Sequence, residues 1–247
     1  MEKRILEYLA NLEREKDIEI LFAVESGSRA WDFASPDSDY DIRFVYKHKR
    51  EWYLNLWEQK DTIQFMTDDD LDGSGWDIRK ALQLLSKSNA SFLGWLFSPV
   101  VYRADEVFLK EIKELANLNF NPVSGFYHYH SMNKGFEEKL GTSEMTIKSF
   151  FYAIRTALCA NWIVKNKTIP PVLLREMYSL LEENHQKKLD DLILLKSKNI
   201  EKSILNIDND LINLVRKIVE ENNDMKNSLL NTKPKKEEFN RFFIKNV

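Results

Sequence analysis

At 247 residues the chain has room for one large domain or two small ones. Its formal net charge of −3 excludes a general nucleic-acid-coating protein, and its single cysteine, Cys159, excludes a disulfide framework or a cysteine-rich zinc site. The charged start, Met1-Glu-Lys-Arg, lacks the apolar core of a signal peptide. No apolar run approaches the ~20 residues a bilayer requires, so the expectation is a soluble cytoplasmic protein without a membrane partner.

Residues 2–16 read as an amphipathic helix, with Ile5, Leu9 and Leu12 at helical spacing. Residues 18–24 are short and rich in strand formers and read as a buried strand, broken by Gly27-Ser28. Residues 29–33 read as one helical turn, Ser35-Pro-Asp-Ser as turn chemistry, and residues 40–46 as a second strand. A helical stretch at 52–57 and a strand at 62–66 follow. The acidic cluster 68–77 leads into a helix at 78–88, with Asp77 where an N-cap belongs, and 92–97 reads as a short helical turn. Beyond residue 103 strand signals vanish, and helices are expected at 105–118, 123–140, 146–165, 172–184, 188–197 and 208–222. The polar, lysine-rich tail from about 223 ends in a phenylalanine cluster that would dock a last helix. The expected organisation is α+β: a mixed-sheet domain over 1–102, then an all-helical domain over 103–247.

The chemistry concentrates in Glu25-Ser-Gly-Ser-Arg-Ala-Trp through Asp39-Tyr-Asp-Ile-Arg. In a strand, residues i and i+2 share a face, so Asp39 and Asp41 project together, roughly 7 Å apart at Cα. Two carboxylates so placed converge on a hard divalent ion such as Mg²⁺ or Mn²⁺, which also takes phosphate oxygens. A glycine after a buried strand lets the backbone turn tightly, and the free N–H groups of Gly27-Ser28 form an anion-binding nest to which Ser28 adds a hydroxyl. Taken singly, an Asp-x-Asp is an ordinary acidic turn and a Gly-Ser an ordinary loop. Their order along the chain suits one mechanism and has no simple packing explanation.

This stretch resembles the nucleotidyltransferase signature of the DNA polymerase beta superfamily. More closely, Gly27-Ser-Arg-Ala-Trp, Ser35-Pro-Asp-Ser-Asp-Tyr-Asp-Ile-Arg-Phe, Trp76-Asp-Ile-Arg-Lys-Ala-Leu, Lys87-Ser-Asn and Ser98-Pro-Val-Val-Tyr102 resemble the RNA repair pathway DNA polymerase beta family. Asp32 departs from that pattern, where a glycine is expected. The resemblance implies a nucleotidyltransferase-type mixed sheet and a third carboxylate on a later strand, for which Asp72 and Asp77 both stand as candidates. Asp77 already has a capping role to play, which favours Asp72, and Asp68, Asp69 and Asp70 read as solvated loop.

Arg29 is placed either to pair with phosphate or to bridge to Asp37, and Arg43 to orient or neutralise the acids. Lys148, Tyr152 and Arg155 share one helix face; the resemblance loosely implies that they hold triphosphate and base, while the residues alone also fit a polar edge. Tyr127, His128, Tyr129 and His130 suit packing between helices or stacking on a base, and Cys159 reads as inert core. The functional expectation is a Mg²⁺- or Mn²⁺-dependent transfer of a nucleoside monophosphate from a nucleoside triphosphate such as ATP. The acceptor hydroxyl is on an RNA end, a protein or a small molecule. A non-catalytic nucleotide- or RNA-binding module on the same fold is the alternative.

Overall fold

The computed structural model describes residues 1–67, 71–198 and 207–247. Asp68, Asp69 and Asp70, expected as solvated loop, lie outside the described residues. The chain forms two compact units. The first comprises Met1–Gly27, Asp39–Asn119 and Lys233–Val247, and the second comprises Ser28–Ser38 and Phe120–Thr232. Residues 106–119 and 233–247, which the sequence places in its helical half, are part of the first unit by packing.

In the first unit a five-stranded mixed sheet runs in the order β3-β4-β2-β1-β5. Its strands are β1 (Glu19–Glu25), β2 (Tyr40–Lys47), β3 (Thr62–Met66), β4 (Leu71–Asp77) and β5 (Val101–Ala104). β2 pairs with β4 in parallel, and the other neighbours are antiparallel. Helix α1 (Glu2–Lys16) buries Ile5, Leu9 and Leu12 on the sheet face formed by Ile20, Ala23, Ile42, Phe44 and Tyr46. Each such side chain contributes about 1.5–3 kcal/mol on burial. The helix stops at Asp17, whose left-handed φ of 50° turns the chain into β1.

Strands β4 and β5 were not expected. Leu-Asp-Gly-Ser-Gly-Trp-Asp reads only as the end of the acidic cluster, and interior glycines weaken strands. The fold uses them: a Cβ at Gly73 would lie 2.0 Å from the Phe65 ring, and one at Gly75 2.1 Å from the Phe44 ring. Each glycine is the register partner of the aromatic that covers it, so neighbouring strands supply the apolar surface that β4 lacks. The stretch expected as a helix at 52–57 is instead a 3₁₀ turn at Arg50–Leu54.

Helices α3 (Ile78–Leu85), α4 (Ala90–Leu96), α5 (Glu106–Asn119) and α10 (Lys236–Asn246) complete the first unit. The tail helix docks through buried Phe239 and Phe242, the latter 5.4 Å from Phe108. In the second unit, α6 (Pro122–Glu137), α7 (Ile147–Asn166), α8 (Glu183–Lys196) and α9 (Asn209–Met225) carry the core. α7 is the most buried of them, as its wide apolar face requires. The helix expected at 172–184 is a 3₁₀ segment, Leu174–Leu180, and α8 begins at Glu183. Among the described residues no helix is long and apolar enough to cross a membrane.

Candidate active site

Parallel pairing of β2 with β4 sets Asp41 beside Asp72 in register. Neighbouring strands lie about 4.8 Å apart, and register partners point to one face, so the two carboxylates face the same way. Arg43, two residues along β2, shares that face. Its Nη2 donates to Asp41 Oδ1 at 2.8 Å and to Asp72 Oδ2 at 2.9 Å, and its Nη1 donates to the carbonyls of Asp72 and Ile42. Asp39 is exposed and lies just before the start of β2. Burial raises the Asp41 carboxyl above the usual carboxylate range; Arg43 opposes that shift, while Asp72 and Asp39 add to it.

Asp41 is held from several sides. Its N–H donates to Glu25 Oε1 at 2.7 Å, and its carbonyl accepts from the N–H of Ser26 at 2.9 Å. Its Oδ2 lies over Gly27, where a Cβ would come within 2.1 Å of it. Gly27 has φ +62°, so the glycine is required both for the backbone conformation and for this approach.

Asp77 sits at the opposite end of β4, roughly 17 Å from Asp72 by strand rise. It is buried, caps α3 by accepting from the N–H of Arg79 at 2.8 Å, and accepts from the hydroxyl of Tyr53 at 2.7 Å. Its carboxyl is raised by burial, against the pull of these donors.

Among the described residues no three His, Cys, Asp or Glu side chains converge as a metal-ligating group. The donor chemistry nevertheless fits a hard cation. Asp41 and Asp72 supply oxygen alone, and both already reach one positive group, the Arg43 guanidinium.

The remaining expected residues, apart from Gly27, belong to the second unit. The chain enters it within α2 (Gly27–Ala30), one turn that starts two residues earlier than the expected 29–33. Phe33 N–H bonds back to the Ser28 carbonyl at 3.1 Å, with Asp32 at φ +67°. This is the left-handed helix closure that glycine usually fills, the physical reason for expecting glycine there. Asp32 instead pairs with Arg175, which also bonds Asp190. Ser28 is buried, and its hydroxyl lies 3.2 Å from that of Ser38; Arg29 donates to the Ser38 carbonyl.

On α7, Lys148 and Tyr152 are half-buried, and Tyr152 meets Trp31 edge-on at 5.1 Å. Arg155 is buried, donates to the Val172 carbonyl and lies 4.2 Å over the Trp31 ring. Among the α6 aromatics Tyr129 and His130 are buried, His130 stacking on Phe126, while Tyr127 is exposed. Cys159 is buried, and that burial pushes its thiol up. Sequence reasoning passed over Glu25. Its signal was a lone carboxylate closing an apolar strand immediately before Ser26-Gly27.

The family described as "RlaP: RNA repair pathway DNA polymerase beta family" matches residues 1–245. A relative from Bacillus subtilis (strain 168), "Uncharacterized protein YcgL", is 41% identical over 182 residues, covering 72% of this chain and 70% of the relative. A solved nucleotidyltransferase-like protein from Exiguobacterium sibiricum 255-15 aligns at 12% identity and a TM-score of 0.33, over 92% of this chain and 75% of that one.

Proposed function

From a chain that belongs to the RNA repair pathway DNA polymerase beta family, and is nucleotidyltransferase-like on that ground, we propose a divalent-metal-dependent nucleotidyltransferase. It transfers a nucleoside monophosphate from a nucleoside triphosphate to an acceptor hydroxyl, with an RNA end as the preferred acceptor, and releases pyrophosphate. The observation that carries this reading is the in-register pairing of Asp41 with Asp72, both reaching the Arg43 guanidinium. Two carboxylates set side by side on paired strands supply the oxygen donors that a hard divalent cation takes.

Asp39, Asp41 and Asp72 would hold Mg²⁺ or Mn²⁺. When bound, the metal neutralises phosphate charge and eases ionisation of the attacking hydroxyl. The backbone N–H groups of the Gly27-Ser28 turn receive the triphosphate, and the missing Cβ of Gly27 leaves Asp41 its place. Asp72 accepts the proton of the acceptor hydroxyl as its oxygen attacks the α-phosphorus and the bond to pyrophosphate breaks. Arg43 keeps both carboxylates aimed together. Positioning and charge neutralisation supply most of the rate.

Arg43 also favours a second reading, since it already neutralises the acid pair as a non-catalytic nucleotide-binding module would require. The test incubates the protein with each α-labelled nucleoside triphosphate, Mg²⁺ or Mn²⁺, and RNA. The expected result is label on RNA, lost in Asp39→Ala/Asp41→Ala. Tight nucleotide binding without transfer to RNA, protein or small-molecule acceptors would favour the module. Wild-type protein without metal-dependent nucleotide binding would sink both.

A further inference from the structure

Resting on the nucleotidyltransferase reading, we propose that Glu25 is a positioning residue for Asp41, clamped by the two ends of the Ser98-Pro-Val-Val-Tyr102 segment. That segment carries part of the family resemblance, and the chemistry above assigns it no task. Glu25 is only 1% exposed, at the last position of β1. A buried carboxylate costs several kcal/mol unless hydrogen bonds repay it. Its bonds are unusually directed: Oε1 accepts from the N–H of Asp41 at 2.7 Å, and Oε2 pairs with the Tyr102 hydroxyl.

The backbone of Glu25 is gripped too. The Ser98 hydroxyl donates to its carbonyl at 2.6 Å, and its N–H donates to the carbonyl of Val100 at 2.9 Å. Ser98 is itself buried and also accepts from the N–H of Val100, which closes a tight turn around Pro99.

The register of β1 with β5 explains why Tyr102 can reach this point. Ala23 pairs with Arg103, but Val24 pairs with Val101, so Tyr102 is the extra residue of a β-bulge. Bulges re-aim a side chain and are concentrated at strand edges and beside active sites. The chain of contact therefore runs from Ser98 and Tyr102, through Glu25, to the backbone N–H of the residue whose carboxylate faces Asp72. Glu25 touches no reacting atom. It sets where the Asp41 carboxylate stands, and supporting contacts of this kind change metal affinity about 10- to 100-fold when removed.

The test compares Glu25→Ala, Glu25→Gln and Tyr102→Phe with wild type. Gln keeps an acceptor for Asp41 and a polar group for Tyr102, whereas Ala keeps neither. Amide hydrogen exchange of the metal-free protein reads the clamp: the Asp41 amide should exchange about tenfold faster in Glu25→Ala and near the wild-type rate in Glu25→Gln, with Phe44 unchanged in both. Mn²⁺ titration followed by electron paramagnetic resonance reads the consequence. The Mn²⁺ dissociation constant should rise about 10- to 100-fold in Glu25→Ala, less in Tyr102→Phe and least in Glu25→Gln. An Asp41 amide unchanged in Glu25→Ala would overturn the proposal. So would unchanged Mn²⁺ affinity with that amide released, or equal losses in Ala and Gln together with a collapsed melting temperature. Wild-type protein that binds no Mn²⁺ would count against the nucleotidyltransferase reading, and the exchange result would then decide alone whether Glu25 holds Asp41.

Discussion

The polar clusters of the two units differ in kind. In the second unit they tie helices together. Asn161 donates to Asn222 at 2.9 Å, Asn222 donates to the Ala157 carbonyl at 3.0 Å, and Lys196 donates to the Phe33 carbonyl at 2.7 Å. These contacts satisfy backbone or amide groups and specify packing. In the first unit, carboxylates crowd one end of the sheet, where Asp41, Asp72 and Asp39 repel and Glu25 lies buried behind Asp41. That arrangement opposes stability, and its persistence points to use rather than packing. The second unit's buried amides hold helices together, whereas the carboxylate cluster of the first unit is the part that the proposed chemistry needs.

The largest effect should come from Asp41→Asn. Transfer of label falls by at least the ~10²–10³ that loss of one stabiliser of transition-state charge costs, measured with α-labelled nucleotide. Stability should move the other way. Because the folded-state carboxyl is raised, the stabilisation that protonated Asp41 lends below the ordinary carboxylate range is lost as pH rises through its raised value. At pH 7 the Asn variant should therefore melt at or above the wild-type temperature, and its advantage should shrink as the pH is lowered. A variant less stable than wild type at pH 7 would break the contrast between the units.

Gly27→Ala comes next. The new Cβ meets Asp41 Oδ2 at 2.1 Å, and φ is +62°. The strain should cost about 1–3 kcal/mol in urea unfolding, with Mn²⁺ binding weakened alongside. A change of similar size in stability, but with no effect on metal binding, belongs to the second unit. Asn222→Leu leaves the Asn161 amide without its acceptor and should cost about 1–3 kcal/mol, with Mn²⁺ affinity unchanged. A parallel loss of Mn²⁺ affinity would blur the division of labour. Asp32→Gly should shift stability least. It relieves a left-handed φ worth about 1–2 kcal/mol. Against that stand an exposed pair with Arg175 worth about 0–1 kcal/mol and the added freedom of glycine in the unfolded chain. A net loss above about 1 kcal/mol by thermal unfolding would show that Arg175 does more than pair at the surface.

Much of the helical content was legible because burial leaves a 3.6-residue period. Ile5, Leu9 and Leu12 on α1, and the wide apolar face of α7, mark which faces go inward. The 172–184 stretch was misread because apolar spacing does not reveal where a chain tightens into a 3₁₀ segment. In the candidate site, Gly27, Asp39 and Asp41 stood out because residue type and order alone suggest an anion turn and a cation ligand. Arg155 did not follow its spacing outward: the pattern places it on a face with Lys148 and Tyr152, yet its guanidinium is buried against Trp31.

By itself, then, the sequence determined the family, the helices with strong periodicity and the two strands that flank Gly27, since each is written in local residue choice. Only the tertiary structure decided that Leu71–Asp77 is a strand. Its glycines are favourable only beneath the rings of Phe65 and Phe44, which arrive from other strands. That pairing brings Asp72 beside Asp41, leaves Asp77 as a helix cap at the far end, and turns Glu25 from the end of an apolar run into a support for Asp41. Register between strands distant in sequence leaves no local trace, because it depends on which side chains find each other across the sheet.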